Sequence, residues 1–159
     1  MLNRKTVSVL TAIFLVLLIS ILGVFMQSQA RINQAEEETV NLVKYDFNVD
    51  KINKFYWVTT DNTYFSLDFI DDEGVQHFAI VAQEGGDIQY FSENEIISEQ
   101  DANDLTINET SMINIIQTRL GLLNNEPVWE VTLKNDNNTL TYYYVNALTG
   151  LWVKTISNI

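Results

Sequence analysis

The hydrophobic positions of this sequence follow two patterns, one continuous and one periodic. Residues 7–26 carry no charged side chain, and about 20 apolar residues are what an α-helix needs to cross the hydrocarbon core of a bilayer. After residue 30, apolar residues recur at helical spacing in some segments and alternate with polar residues in others. The pattern therefore predicts a transmembrane helix over residues 7–26, followed by a larger α+β region.

The charges that flank the apolar run predict its orientation. Arg4 and Lys5 precede it, and an acidic run at residues 36–38 follows it. Because basic residues accumulate on the cytoplasmic side of membrane helices, residues 1–6 are expected to form a cytoplasmic tail, with the C-terminal region outside the cytoplasm. A signal peptide cleaved after Ala30 is the alternative, but such peptides usually have an apolar region of about 7–15 residues, which favours a retained anchor.

Residues 27–91 are expected to form a first unit of one helix and an antiparallel sheet. Residues 31–46 contain no Gly or Pro and have apolar residues at helical spacing. Segments rich in β-branched and aromatic residues follow, separated by short polar turns. The strands predicted from them are residues 55–60, 64–70, 75–83 and 88–91.

The second unit is expected over residues 107–159, after an acidic connection at residues 92–106. Thr106 and Glu109 have the spacing of a capping box, which predicts a helix over residues 107–120 with Gly121 at its left-handed end. Beyond Pro127 the chain alternates between apolar and polar residues, which predicts three strands.

The two units also align with each other. Setting Phe65 against Trp129 gives a constant offset of 64 residues without a gap, at which the core positions and both turns coincide. The alignment predicts that one helix-plus-meander unit occurs twice. A chance overlay of two β-meanders is the alternative.

The second unit resembles a PepSY repeat, in which an apolar-Glu-Val strand, a polar turn and an aromatic strand lead into a Thr-Gly turn. The residues that carry this resemblance are Trp129, Glu130, Val131, Tyr142, Tyr144, Val145, Ala147, Thr149 and Gly150. Asn146 stands where many such repeats have Asp. With its short N-terminal tail, single anchor and tandem units, the whole chain resembles the YpmB/TseB proteins of Gram-positive Firmicutes.

This resemblance implies a fold and a function. The fold is a cystatin-like arrangement in each unit, with a helix packed on an antiparallel meander. The function is that of a membrane-anchored regulator or scaffold of cell-wall (peptidoglycan) elongation, which works by contact with a penicillin-binding protein. A PepSY-type protease-inhibiting module and a peptidoglycan-binding module are the alternatives.

The amino-acid composition excludes several classes of partner and of active site. Nine Lys and Arg residues against 21 Asp and Glu give a formal net charge of −12, which excludes nucleic acid as a partner because phosphate binding needs clustered basic residues. The chain has no Cys and a single His, His77, so we expect no metal site and no cofactor. The sequence also contains no motif of a nucleophile elbow, a metalloprotease or a nucleotide-binding loop. We therefore expect no catalytic residues and no enzymatic activity.

The aromatic residues of the second unit offer a candidate partner surface. Tyr143 faces opposite to Tyr142 and Tyr144 because side chains alternate along a strand. If the predicted helix covers the face that carries two tyrosines, Tyr143 lies on the open face, where an exposed aromatic side chain can anchor a partner.

Overall fold

The computed structural model describes residues 3–159, so the first two residues of the predicted cytoplasmic tail and the side chain of Lys5 lie outside the described part. The fold class is α+β, as predicted. The elements in chain order are α1 (Arg4–Val43), β1 (Val49–Thr59), β2 (Thr63–Asp71), β3 (Gln76–Ala82), β4 (Ile88–Ser92), α2 (Glu99–Thr110), β5 (Ile115–Leu123), β6 (Glu126–Lys134), β7 (Leu140–Asn146) and β8 (Trp152–Ser157). Strands β1–β4 form sheet 1 and strands β5–β8 form sheet 2, each an antiparallel meander in chain order.

Helix α1 begins at Arg4 and contains the predicted apolar run. It is long and apolar enough to cross a membrane, and its most apolar stretch is not buried within the protein. Thr11 and Ser20 donate their hydroxyl groups to the carbonyl oxygens of Val7 and Val16, so these polar side chains are satisfied within the helix. The helix ends at Val43, three residues before the predicted end, because the chain turns there.

The chain separates into two compact units, one up to Glu38 and one over Thr39–Ile159. Within the second unit, the end of α1 packs on sheet 1. Val40 and Val43 lie against Leu67, Phe69 and Ala79 of β2 and β3 in a buried cluster. The predicted pairing of a helix with the first meander is therefore present.

The second helix lies elsewhere than predicted. Helix α2 covers Glu99–Thr110, and Ser98 is its N-cap: the Ser98 hydroxyl accepts from the Asp101 N–H while the Asp101 carboxylate accepts from the Ser98 N–H. The capping box is therefore Ser98–Asp101, and the one predicted at Thr106 and Glu109 is wrong. Most of the segment predicted as an acidic connection, residues 92–106, belongs to this helix, and Thr106 is buried inside it.

Of the residues predicted as the second helix, 107–110 are the end of α2, whereas residues 115–120 form most of strand β5 instead. A two-residue turn at Asn124 and Asn125, both with positive φ (52° and 66°), joins β5 to β6. This backbone conformation favours a β-hairpin because its twist matches that of the flanking strands. The apolar residues of Ile115–Leu123 fit a helical period as well as a buried strand, and the hairpin decides between the two.

Gly121 is therefore not a helix cap. Its φ is not positive, and a Cβ at this position would overlap Cγ1 of Val58 in β1. The missing side chain allows β5 to lie against β1, where Ser66 of β2 also donates its hydroxyl to the Leu120 carbonyl at 2.8 Å. Gly121 thus permits the close contact between the two sheets.

We predict that Gly121→Ala lowers the free energy of unfolding by about 1–3 kcal/mol, because the added methyl group overpacks this contact. The measurement is urea unfolding of the full chain in mild detergent, followed by circular dichroism. Val58→Ala is the matched second change, since it vacates the space that the methyl group needs. The double variant should lose less free energy of unfolding than the sum of the two single losses. Strict additivity would contradict the contact between Gly121 and Val58.

The internal repeat is present in the strand pairing. Tyr64 pairs with Ala82 in sheet 1, and Val128 pairs with Asn146 in sheet 2, each residue shifted by 64 positions. All seven pairs of β2 with β3 recur at this offset in β6 with β7. The offset that aligns the two sequence segments therefore also aligns their hydrogen-bonded register.

A main core lies between sheet 1, sheet 2 and α2. Sheet 1 contributes its face opposite α1, and sheet 2 contributes the face on which α2 packs. Its buried side chains are Tyr56, Val58, Tyr64, Phe78, Ile80, Ile96, Ala102, Leu120, Leu122, Trp129, Val131, Leu133, Tyr143, Val145 and Ala147. The two meanders thus share one core.

Candidate functional site

The residues of the PepSY-like motif divide into three places in sheet 2. One set lies in the main core, one set lies on the opposite face of the sheet, and one set forms the turn between β7 and β8. The core set is Trp129, Val131, Val145 and Ala147; the opposite face carries Glu130, Tyr142 and Tyr144; the turn contains Thr149 and Gly150. Alternation along β6 and β7 accounts for the first two sets.

Trp129 is the largest fully buried side chain of the described residues. Its indole N–H donates to the Ile97 carbonyl at 2.9 Å, which satisfies the polar atom of the ring. Its ring contacts Tyr56 and Phe78 of sheet 1 edge-on, with centroids 5.6 and 6.3 Å away. Trp129 therefore joins both sheets to the segment that precedes α2.

Glu130 stands at the centre of a buried polar cluster. One carboxylate oxygen, Oε1, accepts from Nε of Arg119 at 3.1 Å and also from Nη2 of Arg119. The other, Oε2, accepts from the Tyr144 hydroxyl at 2.6 Å. Because Arg119 is the cross-strand partner of Glu130 on β5, and Tyr144 is its partner on β7, the cluster crosses three strands directly.

The electrostatics of this cluster favour a structural role. Burial raises the pKa of the Tyr144 phenol, the hydrogen bond from Tyr144 to ionised Glu130 raises it further, and the Arg119 charge opposes the rise. Lys154 also lies over the Tyr144 ring, 5.6 Å from its centroid. A single carboxylate held by an arginine lacks the second acid that paired-carboxylate catalysis requires.

The exposure predicted for Tyr143 is wrong. Tyr143 is 5% exposed and lies in the main core, on the sheet face that α2 covers. Tyr144, also 5% exposed, and the half-buried Tyr142 lie on the other face. The prediction failed because the covering helix lies at Glu99–Thr110 and packs on the face that carries one tyrosine. The aromatic face offered as a candidate partner surface is therefore largely interior.

Asn146 organises the turn that follows β7. Its side-chain oxygen accepts from the N–H groups of Leu148 and Thr149, both at 3.0 Å, and from the Thr149 hydroxyl at 3.1 Å. Gly150 has a φ of 71°, which favours glycine. The Thr-Gly part of the motif is thus a turn, and Asn146 makes there the side-chain-to-backbone hydrogen bonds that are typical of Asn and Asp in turns.

His77 is partly buried in sheet 1. Its Nε2 lies 2.8 Å from Oδ2 of Asp71, and its ring lies between Phe47 and Phe69, with centroids 4.7 and 5.5 Å away. The N–H of Val75 donates to Asp71 and, together with His77, holds the pKa of that carboxyl below its usual value. Among the described residues no group of three or more His, Cys, Asp or Glu side chains is placed to hold a metal ion.

Asp61 links the first hairpin to the β5–β6 turn. Partial burial opposes ionisation of Asp61, but hydrogen bonds from the Asn124 N–H at 3.0 Å and from Thr60 and Asn62 at 2.9 Å outweigh it. Its pKa is therefore lowered in the folded chain. The stabilisation is present above the ordinary carboxyl pKa of about 3.9 and is lost as the pH falls through the lowered folded value.

We predict that Asp61→Asn makes stability less dependent on pH in the acid range, because the variant has no proton to take up at this position. The measurement is urea unfolding of the full chain between about pH 5 and pH 2, where carboxylates titrate. Asp136→Asn, at an exposed position in another turn, is the matched control. Parallel pH profiles for Asp61→Asn and the unmodified chain would contradict the assignment.

Comparison with known proteins relates this architecture to a solved fold. No family model matches the sequence, and no curated protein matches it. Among solved structures, the YpmB protein from Bacillus subtilis matches with a TM-score of 0.67 and 20% identity, over 76% of this chain and 95% of that one. The chain has the YpmB fold. A candidate lipoprotein from Clostridium difficile 630 matches with a TM-score of 0.41 and 13% identity, over 74% of this chain and 88% of that one.

The likeness to YpmB agrees with the α+β fold that the sequence resemblance implied, in which helices pack on antiparallel meanders. At 20% identity it establishes the fold alone.

Leu151 is an exposed side chain that the sequence did not single out, whereas its neighbour Trp152 is one of the aromatic residues of the second unit that the sequence offered as a candidate surface. Leu151 is 68% exposed and Trp152 is 58% exposed, at the start of the edge strand β8. Their signal in the sequence is the pair Leu151-Trp152 directly after a Thr-Gly turn, where a strand of a buried sheet would begin. Only the position of β8 at the edge of sheet 2 shows that the pair faces solvent.

Proposed function

We propose that this chain is a single-pass membrane protein whose α+β region lies outside the cytoplasm and acts by protein–protein contact. Within that class, we propose a regulator or scaffold of cell-wall elongation, with a penicillin-binding protein as the partner. The single observation that supports anchoring most strongly is the apolar run of α1, which carries no charge over residues 7–26 and is not buried. Arg4 and Lys5 before the run support a cytoplasmic N-terminus.

Two further observations bear on the role of the motif and on the choice of process. The tyrosines and the carboxylate of the PepSY-like motif are occupied in packing and in the Glu130 cluster, so they serve the fold. The YpmB fold and the sequence resemblance to YpmB/TseB proteins are the grounds for choosing cell-wall elongation as the process.

The proposed partner class has a specific chemical label, because penicillins acylate the active-site serine of penicillin-binding proteins. The experiment is purification of the tagged full chain from crosslinked membranes of cells labelled with fluorescent penicillin. We expect a fluorescent protein to copurify with the full chain, and not with an unrelated single-pass protein of similar abundance. Absence of any labelled protein above that control would overturn the proposed partner.

A further inference from the structure

An exposed apolar patch lies at the start of β8. It consists of Leu148, Leu151, Trp152 and Val153, which are 43%, 68%, 58% and 37% exposed. Trp152 is held in place, since its indole N–H donates to the Thr155 hydroxyl at 2.8 Å and leaves the apolar ring open to solvent. We call these four residues the β8 patch.

Helix α2 lies beside the β8 patch. The N–H of Ile97, just before the helix, donates to the Ala147 carbonyl at 2.8 Å. A Cβ on Gly150 would lie 3.2 Å from Leu105 of α2. The solvent-facing side of α2 therefore forms one border of the patch.

That border is acidic. Residues 92–118 contain six Asp or Glu residues and no Lys or Arg. Glu99 pairs with Lys54 at 2.7 Å, whereas Asp101, Asp104 and Glu109 are exposed and have no basic partner among the described residues. An apolar centre with an acidic border is complementary to a basic surface that carries apolar side chains.

We propose that the β8 patch and the acidic face of α2 form the docking surface for a protein partner, which binds through a segment that combines Lys or Arg with large apolar side chains. This proposal deepens the proposed function and rests on it for the existence of a partner outside the membrane. Aromatic side chains that are exposed and held in place are frequent anchors of such contacts.

The charge of the region argues against two other occupants. A second copy of the chain would bring the same acidic helix to the interface, where like charges repel. An anionic membrane surface would be repelled for the same reason. A β-bulge where Val145 pairs with Trp152 and Tyr144 with Lys154 also interrupts the edge of β8, so contact through side chains is favoured over addition of a regular strand.

The test uses the full chain in nanodiscs of zwitterionic lipid and a fluorescent peptide of Lys and Leu as the probe. Two control peptides replace either Lys by Glu or Leu by Ser, and empty nanodiscs measure binding to lipid. We expect saturable binding of the Lys–Leu peptide alone. Equal binding of either control peptide would overturn the proposed chemistry.

Variants of the chain then locate the surface. Leu151→Ser with Trp152→Ser is expected to weaken binding at least about tenfold, and Leu151→Lys should weaken it by adding a like charge at a tolerant exposed position. Asp104→Asn with Glu109→Gln should weaken it several-fold at low salt and little at high salt. Tyr45→Ser, which removes another exposed aromatic side chain (86% exposed), is the matched control. Undiminished binding by both Leu151 variants, or self-association that depends on Trp152, would overturn the proposal.

Two outcomes distinguish an incorrect docking surface from an incorrect partner class. If the Leu151→Ser/Trp152→Ser chain still copurifies a penicillin-labelled protein at the unmodified level, the docking surface is wrong and the partner class stands. If peptide binding depends on the patch but no labelled protein copurifies, the surface stands and the partner class is wrong.

Discussion

Replacing Trp129 by Ala is expected to lower the free energy of unfolding by about 3–5 kcal/mol. The side chain is fully buried, contacts Tyr56 and Phe78 of the other sheet, and gives its N–H to Ile97, so its removal leaves a cavity and an unpaired carbonyl. Because domains of this size have a total stability of only about 5–15 kcal/mol, the variant should lose a large fraction of its free energy of unfolding. The measurement is urea unfolding of the full chain in mild detergent, followed by circular dichroism.

The matched control is Trp152→Ala, which makes the same chemical change at an exposed position. We expect the free energy of unfolding of that variant to lie within about 0.5 kcal/mol of the value for the unmodified chain. Similar losses for the two variants would contradict the shared core, because they would show that Trp129 contributes no more packing than a surface tryptophan.

Replacing Glu130 by Ala is expected to lower the free energy of unfolding by about 3 kcal/mol. This value is near the lower end for breaking a buried ion pair, because Arg119 retains some contact with water. The change leaves the Arg119 guanidinium and the Tyr144 hydroxyl without their shared acceptor. Glu130→Gln should cost less, because the amide keeps an acceptor oxygen. The same unfolding measurement checks both variants.

A double-mutant cycle separates the ion pair from packing. Arg119→Met combined with Glu130→Met should recover part of the loss of Glu130→Met alone, since no buried charge then stays unpaired. If the two losses are additive, the interaction between Arg119 and Glu130 contributes nothing to the free energy of unfolding, which would contradict the Glu130 cluster.

The elements that could be predicted from the sequence are those whose pattern fits one period only. Strand β6 alternates between apolar and polar residues from Trp129 to Lys134, and β7 is rich in aromatic and β-branched residues. Polar turns bound both strands, and the 64-residue offset places β2 and β3 in the same register. Helix α2 could not be placed, because Ser98–Asp101 and Thr106–Glu109 have the same spacing. Only the Asn124–Asn125 hairpin decides that Ile115–Leu123 is a strand.

The side-chain environment in sheet 2 was harder to predict than its strands. Alternation places Tyr143 opposite Tyr144, but it does not say which face a helix covers. The Glu130 cluster needs the cross-strand register of three strands, which no single-strand pattern contains. The same limit applies to the β8 patch, which depends on β8 being an edge strand.

The proposed function requires the α+β region to lie outside the cytoplasm, and cysteine labelling measures this directly because the chain has no cysteine of its own. Single variants Asn3→Cys and Tyr45→Cys place one thiol on each side of the apolar run, at exposed positions. In intact cells treated with a membrane-impermeant maleimide, we expect Tyr45→Cys to be labelled at once and Asn3→Cys only after the membrane is permeabilised. Labelling of Asn3→Cys in intact cells, or protection of Tyr45→Cys until permeabilisation, would contradict the proposed orientation.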